Sequence, residues 1–182
     1  MIEVILFAVT TAALLYVSHA SLRVPGSHGF YRFFAWECLA ALLLLNGRYW
    51  FDGPFSPHQI VSWLLLSIFL VMVWQGIASL RHRGNPDPAR DDVLLIGFEK
   101  TTVLVTEGVY HYIRHPIYSS LLFLGFGLFF KHPSWVSALL VLGAGAFLIL
   151  AARAEEGENL RYFGEAYREY MKHSMMFIPF VL

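Results

Sequence analysis

Apolar residues in this chain gather into long uninterrupted blocks, not the alternating or one-faced patterns of a water-exposed strand or helix. Crossing a bilayer takes about 20 mostly apolar residues. Residues 2–20 meet that length, and residues 33–50 nearly do, with Glu37 near one end and Asn46 and Arg48 near the other. Residues 58–80 form the cleanest span, with Gln75 as the one strongly polar interior position. The longest polar stretch follows at 81–107 and holds Pro86, Pro88 and the acidic pair Asp91-Asp92. Two further apolar blocks, 116–130 and 134–152, flank Lys131-His132-Pro133. The first of these reaches about 22 Å as a helix, short of a ~30 Å hydrocarbon core. The pair is therefore expected to form a tight hairpin, tilted or not fully spanning. From Glu155 onward the tail is polar and amphipathic. The pattern predicts an all-α polytopic membrane protein with about five transmembrane helices, a short C-terminal helical hairpin and a cytoplasmic amphipathic helix.

Composition supports lipid as the solvent. Hydrophobic residues make up 57% of the 182 and charged residues only 14%, against roughly a quarter charged in a typical soluble domain. A net charge of zero argues against a nucleic-acid partner. Cys38 is the single cysteine, so neither an internal disulfide nor a cysteine-based metal site is available. The eight histidines fall in no metal-ligand spacing, and no metal is expected. Glu3 stands where a secretory signal would be basic, so the first block is read as a retained membrane helix. With the N-terminus outside, five passages put Arg23, Arg32, Arg81, Arg83, Arg90, Lys100, Arg114, Arg153, Arg161, Arg168 and Lys172 inside. Only Arg48 and Lys131 then fall outside, as the positive-inside rule requires. No repeat is visible. Residues 1–182 read as one membrane domain, with three membrane helices in 1–80 and a catalytic region in 100–182. The short cytoplasmic face, with no added domain, points to a bacterial or archaeal plasma membrane.

Two inner-side clusters carry candidate chemistry. In the first, residues 106–118, Pro116 suits the first turn of a helix, where its missing N–H costs nothing. His115 then sits beside free backbone donors able to hold a carboxylate, Arg114 adds a forked cation, and Tyr118 lies within one turn. The same residues also fit a membrane-edge anchor and an interfacial aromatic belt. In the second cluster, residues 153–170, the positions Glu156, Leu160, Phe163, Tyr167 and Tyr170 follow 4-3-4-3 spacing and share one face of a helix. That face suits the wall of a pocket with Glu155 or Glu156 reaching in, or equally a helix lying on the membrane surface. Gly164, inside this helix, suggests close backbone packing.

Together the clusters resemble a known family. Gly108, Tyr110, Arg114, His115, Pro116 and Tyr118 match the G-x-Y-x-x-x-R-H-P-x-Y segment of isoprenylcysteine carboxyl methyltransferases and phospholipid N-methyltransferases. Glu155, Glu156, Phe163, Gly164, Tyr167 and Tyr170 match the same family's E-E…F-G-x-x-Y-x-x-Y helix. The resemblance covers about residues 100–180 and implies S-adenosylmethionine held between the hairpin and the C-terminal helix. On that basis Val103, Leu104, Val105, Gly108, Tyr110, His115, Tyr118 and Glu155 are the candidate cofactor-binding residues. Arg114, Arg153 and Glu156 are candidates for the reacting groups, with Arg153 as a substrate-side cation. The expected partners are a lipophilic small-molecule or lipidated acceptor and membrane lipid. The family's terminal Arg-Val-Pro run is absent: His173 takes the arginine's place, which weakens a prenylcysteine carboxylate as the acceptor. A phospholipid amine is the alternative acceptor. An NADPH-dependent sterol-type reductase and a non-catalytic membrane scaffold are the alternative classes. Glu37 and His19 stand as ionisable groups in membrane segments, with pairing to Arg32 or Arg23 the structural reading for Glu37. Gly125, Gly127, Gly143 and Gly145 read as close-approach positions between helices.

Overall fold

A computed structural model describes residues 1–89 and 95–178. Arg90, Asp91, Asp92 and Pro179, noted above, lie outside the described residues. Among the described residues six α-helices form: α1 (Ile2–Leu22), α2 (His28–Asn46), α3 (Pro57–Arg83), α4 (Pro116–Phe129), α5 (Trp135–Phe163) and α6 (Glu165–His173). No strand forms among the described residues. Three helices, α1, α3 and α5, are long and apolar enough to cross a membrane. At 14 residues α4 is too short to do so by length, and α2 carries His28, Arg32, Glu37 and Asn46 along its 19. Large apolar side chains face outward along the long helices, among them Ile5 and Val9, Leu64 and Trp74, Leu139 and Leu142. Apolar surface this extensive is stable only against lipid or another apolar partner.

Helix α2 packs along α5, α3 along α4, and α1 leans on α2. Where α3 meets α4 the backbones come close. A Cβ at Gly127 would fall 2.9 Å from the Leu66 side chain, and Ser62 Oγ donates to the Gly127 carbonyl at 2.7 Å. Gly125 likewise faces Leu39 and Val141, so these two glycines act as close-approach positions. Gly143 and Gly145 have more room, with the nearest neighbour of each 3.6 Å away.

Two local expectations are corrected. The hairpin's second arm does not end near residue 152. Helix α5 runs on to Phe163, about 44 Å in all, longer than a ~30 Å core. Nor is the 155–170 face one helix. Gly164 breaks it at φ 60 and ψ −129, a conformation costly for any residue with a Cβ, and α6 turns off in a new direction. Nothing lies within 4 Å of a Cβ built there, so Gly164 is required by the turn and not by close packing.

Candidate active site

The sequence Arg114-His115-Pro116 decides where the site forms. Pro116 opens α4 with His115 as its N-cap residue, as the spacing predicts. The backbone just before it is clamped from outside. Arg114 N–H donates to the Met175 carbonyl at 2.7 Å, His115 N–H to Met176 at 3.1 Å, and Ser119 Oγ to Phe177 at 2.8 Å. These bonds tie residues 175–177 across the segment that leads into α4.

Behind this clamp lies a cavity of about 650 Å³, its open mouth included. Its walls come from the end of α3, the 95–105 segment, the start of α4 and the last turns of α5 with α6. Four phenols, those of Tyr110, Tyr118, Tyr167 and Tyr170, and two carboxylates, Glu99 and Glu155, surround it together with Arg114, His115 and Asn159. Burial pushes the Tyr110, Tyr167 and Tyr170 phenols up from their ordinary value, so these walls stay neutral at physiological pH. Tyr170 donates to the Tyr110 carbonyl at 2.5 Å, which fastens α6 to the motif segment. The Tyr118 ring stacks on the His115 imidazole at 5.6 Å between centroids.

Charge in the walls is arranged unevenly. Arg114 is committed: Nε donates to Glu156 Oε1 at 2.7 Å, and Nη1 donates to the carbonyls of Ser174 and Met171. Glu155, one residue before Glu156 and therefore about 100° around the helix, lies 3.9 Å from His115 Nδ1. The Tyr118 hydroxyl and His115 Nε2 are buried without a hydrogen-bond partner. His115 Nε2 lies 3.6 Å from Glu156 Oε1, beyond hydrogen-bond length, and buried polar atoms are nearly always paired, so these two atoms mark a place where a ligand's groups fit.

The predicted residues divide. Leu104, Val105, Tyr110, Arg114, His115, Tyr118 and Glu155 all line the cavity. Glu156 stands behind it, 8% exposed, as the partner of Arg114. Val103 turns outward and is half exposed, held by its N–H to the Gly84 carbonyl. Gly108, at φ 65, opens a 3-10 turn and faces Arg83 and Ser79 in a neighbouring groove instead. Arg153 is exposed and does not line the cavity. It precedes Glu155 by two positions, and helix residues two apart do not share a face.

Helix α2 supplies residues that the sequence reading missed. Arg32 Nη1 donates to both oxygens of Glu99 at 2.9 Å. The fully buried His28 bonds Glu158 through Nδ1 and through its backbone N–H, and its Nε2 has no partner. A histidine four residues before an arginine, at the head of an apolar helix, was the available signal. Glu37 accepts from Thr11 at 2.8 Å rather than pairing with Arg32 or Arg23, and His19 Nδ1 bonds the Tyr16 carbonyl.

Among known proteins, the chain is similar to a protein-S-isoprenylcysteine O-methyltransferase of Schizosaccharomyces pombe, with 32% identity over 83 residues. The match covers 45% of this chain and 35% of that protein's length. No family model matches, and no solved structure matches.

Proposed function

We propose that this protein is a membrane methyltransferase that takes its methyl group from S-adenosylmethionine and delivers it to a lipophilic acceptor at the cytoplasmic face. The observation that carries this reading is the cavity's chemistry. Aromatic rings and the carboxylate of Glu155 surround a space with few open cations, a setting that favours a cationic ligand such as a sulfonium. The similarity to an isoprenylcysteine O-methyltransferase and the matched motif residues point the same way.

In this reading Glu155 faces the cofactor's positive groups, while the His115 and Tyr118 orphans meet its polar atoms. Leu104 and Val105 flank the apolar side. The cofactor supplies an activated methyl group for in-line displacement. The chain's own residues align the two reactants and exclude water, which the tail clamp and the aromatic walls suit. Arg114 acts by holding α4, α5 and the tail in register around the cavity.

The acceptor proposed first is an isoprenylcysteine-like carboxylate, following the resemblance. A phospholipid amine is the second reading, and one observation favours it: Arg114 is already paired, Arg153 is exposed, and His173 lies on the surface beside Glu169. None of the three offers a carboxylate an open cation inside the cavity.

Calorimetric titration of the detergent-purified protein with S-adenosylmethionine, with NADPH alongside, tests the class. Micromolar binding of the sulfonium compound alone is expected, and Glu155→Gln should weaken it about tenfold. Binding of NADPH alone would replace the reading with a reductase. Binding of neither by folded protein would leave a scaffold.

A further inference from the structure

Glu99 belongs to neither motif cluster, yet it stands on the cavity wall with 16% of its side chain exposed. Its carboxylate is not an open charge. Both oxygens accept from Arg32 Nη1 at 2.9 Å, and Oε2 also accepts the Ile96 N–H at 2.9 Å. Arg32 reaches it from α2 and is itself 5% exposed, so the pair is desolvated and held from behind.

The two carboxylates of the cavity therefore differ in kind. Among the described residues no lysine or arginine is ion-paired with Glu155, the His115 ring nitrogen being 3.9 Å away, and Glu155 retains a field suited to a positive group. Glu99, with a guanidinium at its back, attracts a second cation weakly, and Arg32 would repel one. It nevertheless keeps acceptor capacity. A carboxylate offers about four lone-pair sites, and the three hydrogen bonds above leave Oε1 with room for a further donor. A neutralised, rigid acceptor suits hydroxyl groups.

Resting on the methyltransferase reading, we propose that Glu99 binds the ribose hydroxyls of the cofactor and that Arg32 is its positioning residue, while Glu155 takes the cationic end. Helix α2 thus enters the site without contributing a motif. The ion pair also ties the 95–105 wall to the bundle, so cofactor affinity depends on a contact between residues 67 apart in the chain.

The test titrates the full-length protein in detergent with S-adenosylmethionine and with its 2′-deoxy analogue. Wild type should prefer the ribose compound by roughly tenfold, the scale of one hydrogen bond to a charged group. Glu99→Gln should lose that preference: affinity for S-adenosylmethionine falls about tenfold and affinity for the deoxy compound stays as in wild type. Arg32→Gln should blunt the preference, and Arg32→Lys should restore part of it. A Glu99→Gln variant that weakens both compounds equally, with the preference intact, would reduce Glu99 to a structural role and overturn the inference. So would a wild type that does not discriminate. Should Glu99→Gln not fold, Glu99→Asp reads the same preference. Wild type binding neither compound would sink the methyltransferase reading itself, a result distinct from binding both alike.

Discussion

Two buried polar clusters sit at opposite ends of α5, about 30 Å apart by the 20 residues from Trp135 to Glu155. At the α4–α5 turn Lys131 is 1% exposed, and among the described residues no buried side-chain polar atom around it is left without a partner. Its ammonium donates to Gln59 Oε1 at 3.0 Å and the Trp50 carbonyl at 3.4 Å, and it lies 3.2 Å from the Trp63 ring centroid. Gln59 Nε2 donates onward to the Tyr49 and Lys131 carbonyls, and Asn46 bonds Leu128. At the other end, with comparable polarity, His28 Nε2, His115 Nε2 and the Tyr118 hydroxyl have no partner, and a cavity lies among the walls. A closed network holds helices together; an unfinished one around a space is held ready for a ligand. The difference also bears on charge placement. Read from sequence, Lys131 is one of two outer-side charges, but its ammonium is packed between tryptophans instead of standing in a loop.

Arg114 gives the largest expected effect because it serves both fold and site. Arg114→Ala leaves Glu156 buried and unpaired and frees two tail carbonyls, which should cost about 3–5 kcal/mol in thermal unfolding and abolish cofactor binding. Adding Glu156→Ala should recover part of the melting temperature and none of the affinity. Recovery of both together would mean that Arg114 acts only through the fold. Lys131→Met is the matched change at the other end. Gln59 Oε1 and the Trp50 carbonyl lose their donor, so stability should fall by about 1–3 kcal/mol. Titration should still find cofactor affinity within twofold of wild type. A large loss of affinity there would break the separation between the two ends.

How much of this is legible in the chain depends on reach. Pro116 and the residues around it were readable because a helix start is a local event with a local rule. The long apolar blocks fixed α1, α3 and the body of α5 for the same reason. The bend at Gly164 was hidden because the 4-3-4-3 aromatic spacing continues through it, and periodicity carries no information on a single φ. Glu155 and Glu156 were both legible as candidates, but their division of labour was not. It depends on which of two faces 100° apart meets Arg114, 42 residues away. The Arg32–Glu99 pair had no local signature, since each residue alone reads as a membrane-edge charge. Val103 and Gly108, which do not line the cavity, show the opposite limit: a matched motif named the segment without saying which side chains turn inward.

A smaller effect with an unusual sign is expected at Tyr118. Its hydroxyl is buried and unpaired, so Tyr118→Phe removes a destabilising feature while the stack on His115 persists. The melting temperature should stay level or rise slightly, while affinity for S-adenosylmethionine falls roughly three- to tenfold. A drop in both would mean that the hydroxyl is satisfied within the protein and that the site end is as closed as the Lys131 end.

The smallest effect belongs to the exposed charges of α6, which have neither burial nor a cavity. Lys172 donates to Glu169 at 2.6 Å, and His173 lies 3.1 Å from the other oxygen. The Lys172 bond and then the His173 bond hold the Glu169 carboxyl below its ordinary value, and the same pairing raises the Lys172 ammonium. A lowered carboxylate contributes above its unfolded value of about 4.3 and loses that contribution as pH falls through the folded value. A raised ammonium contributes below about 10.4 and loses it as pH climbs through the folded value. Between those limits the pair should leave the melting temperature flat with pH, and Glu169→Gln should leave both melting and cofactor affinity unchanged near neutrality, because exposed pairs are screened by water and salt. If Glu169→Gln instead weakened binding at pH 7, α6 would steer Tyr167 and Tyr170 into the cavity through its outer face, and the site would extend to a surface that the polar contrast between the two ends of α5 assigns to solvent.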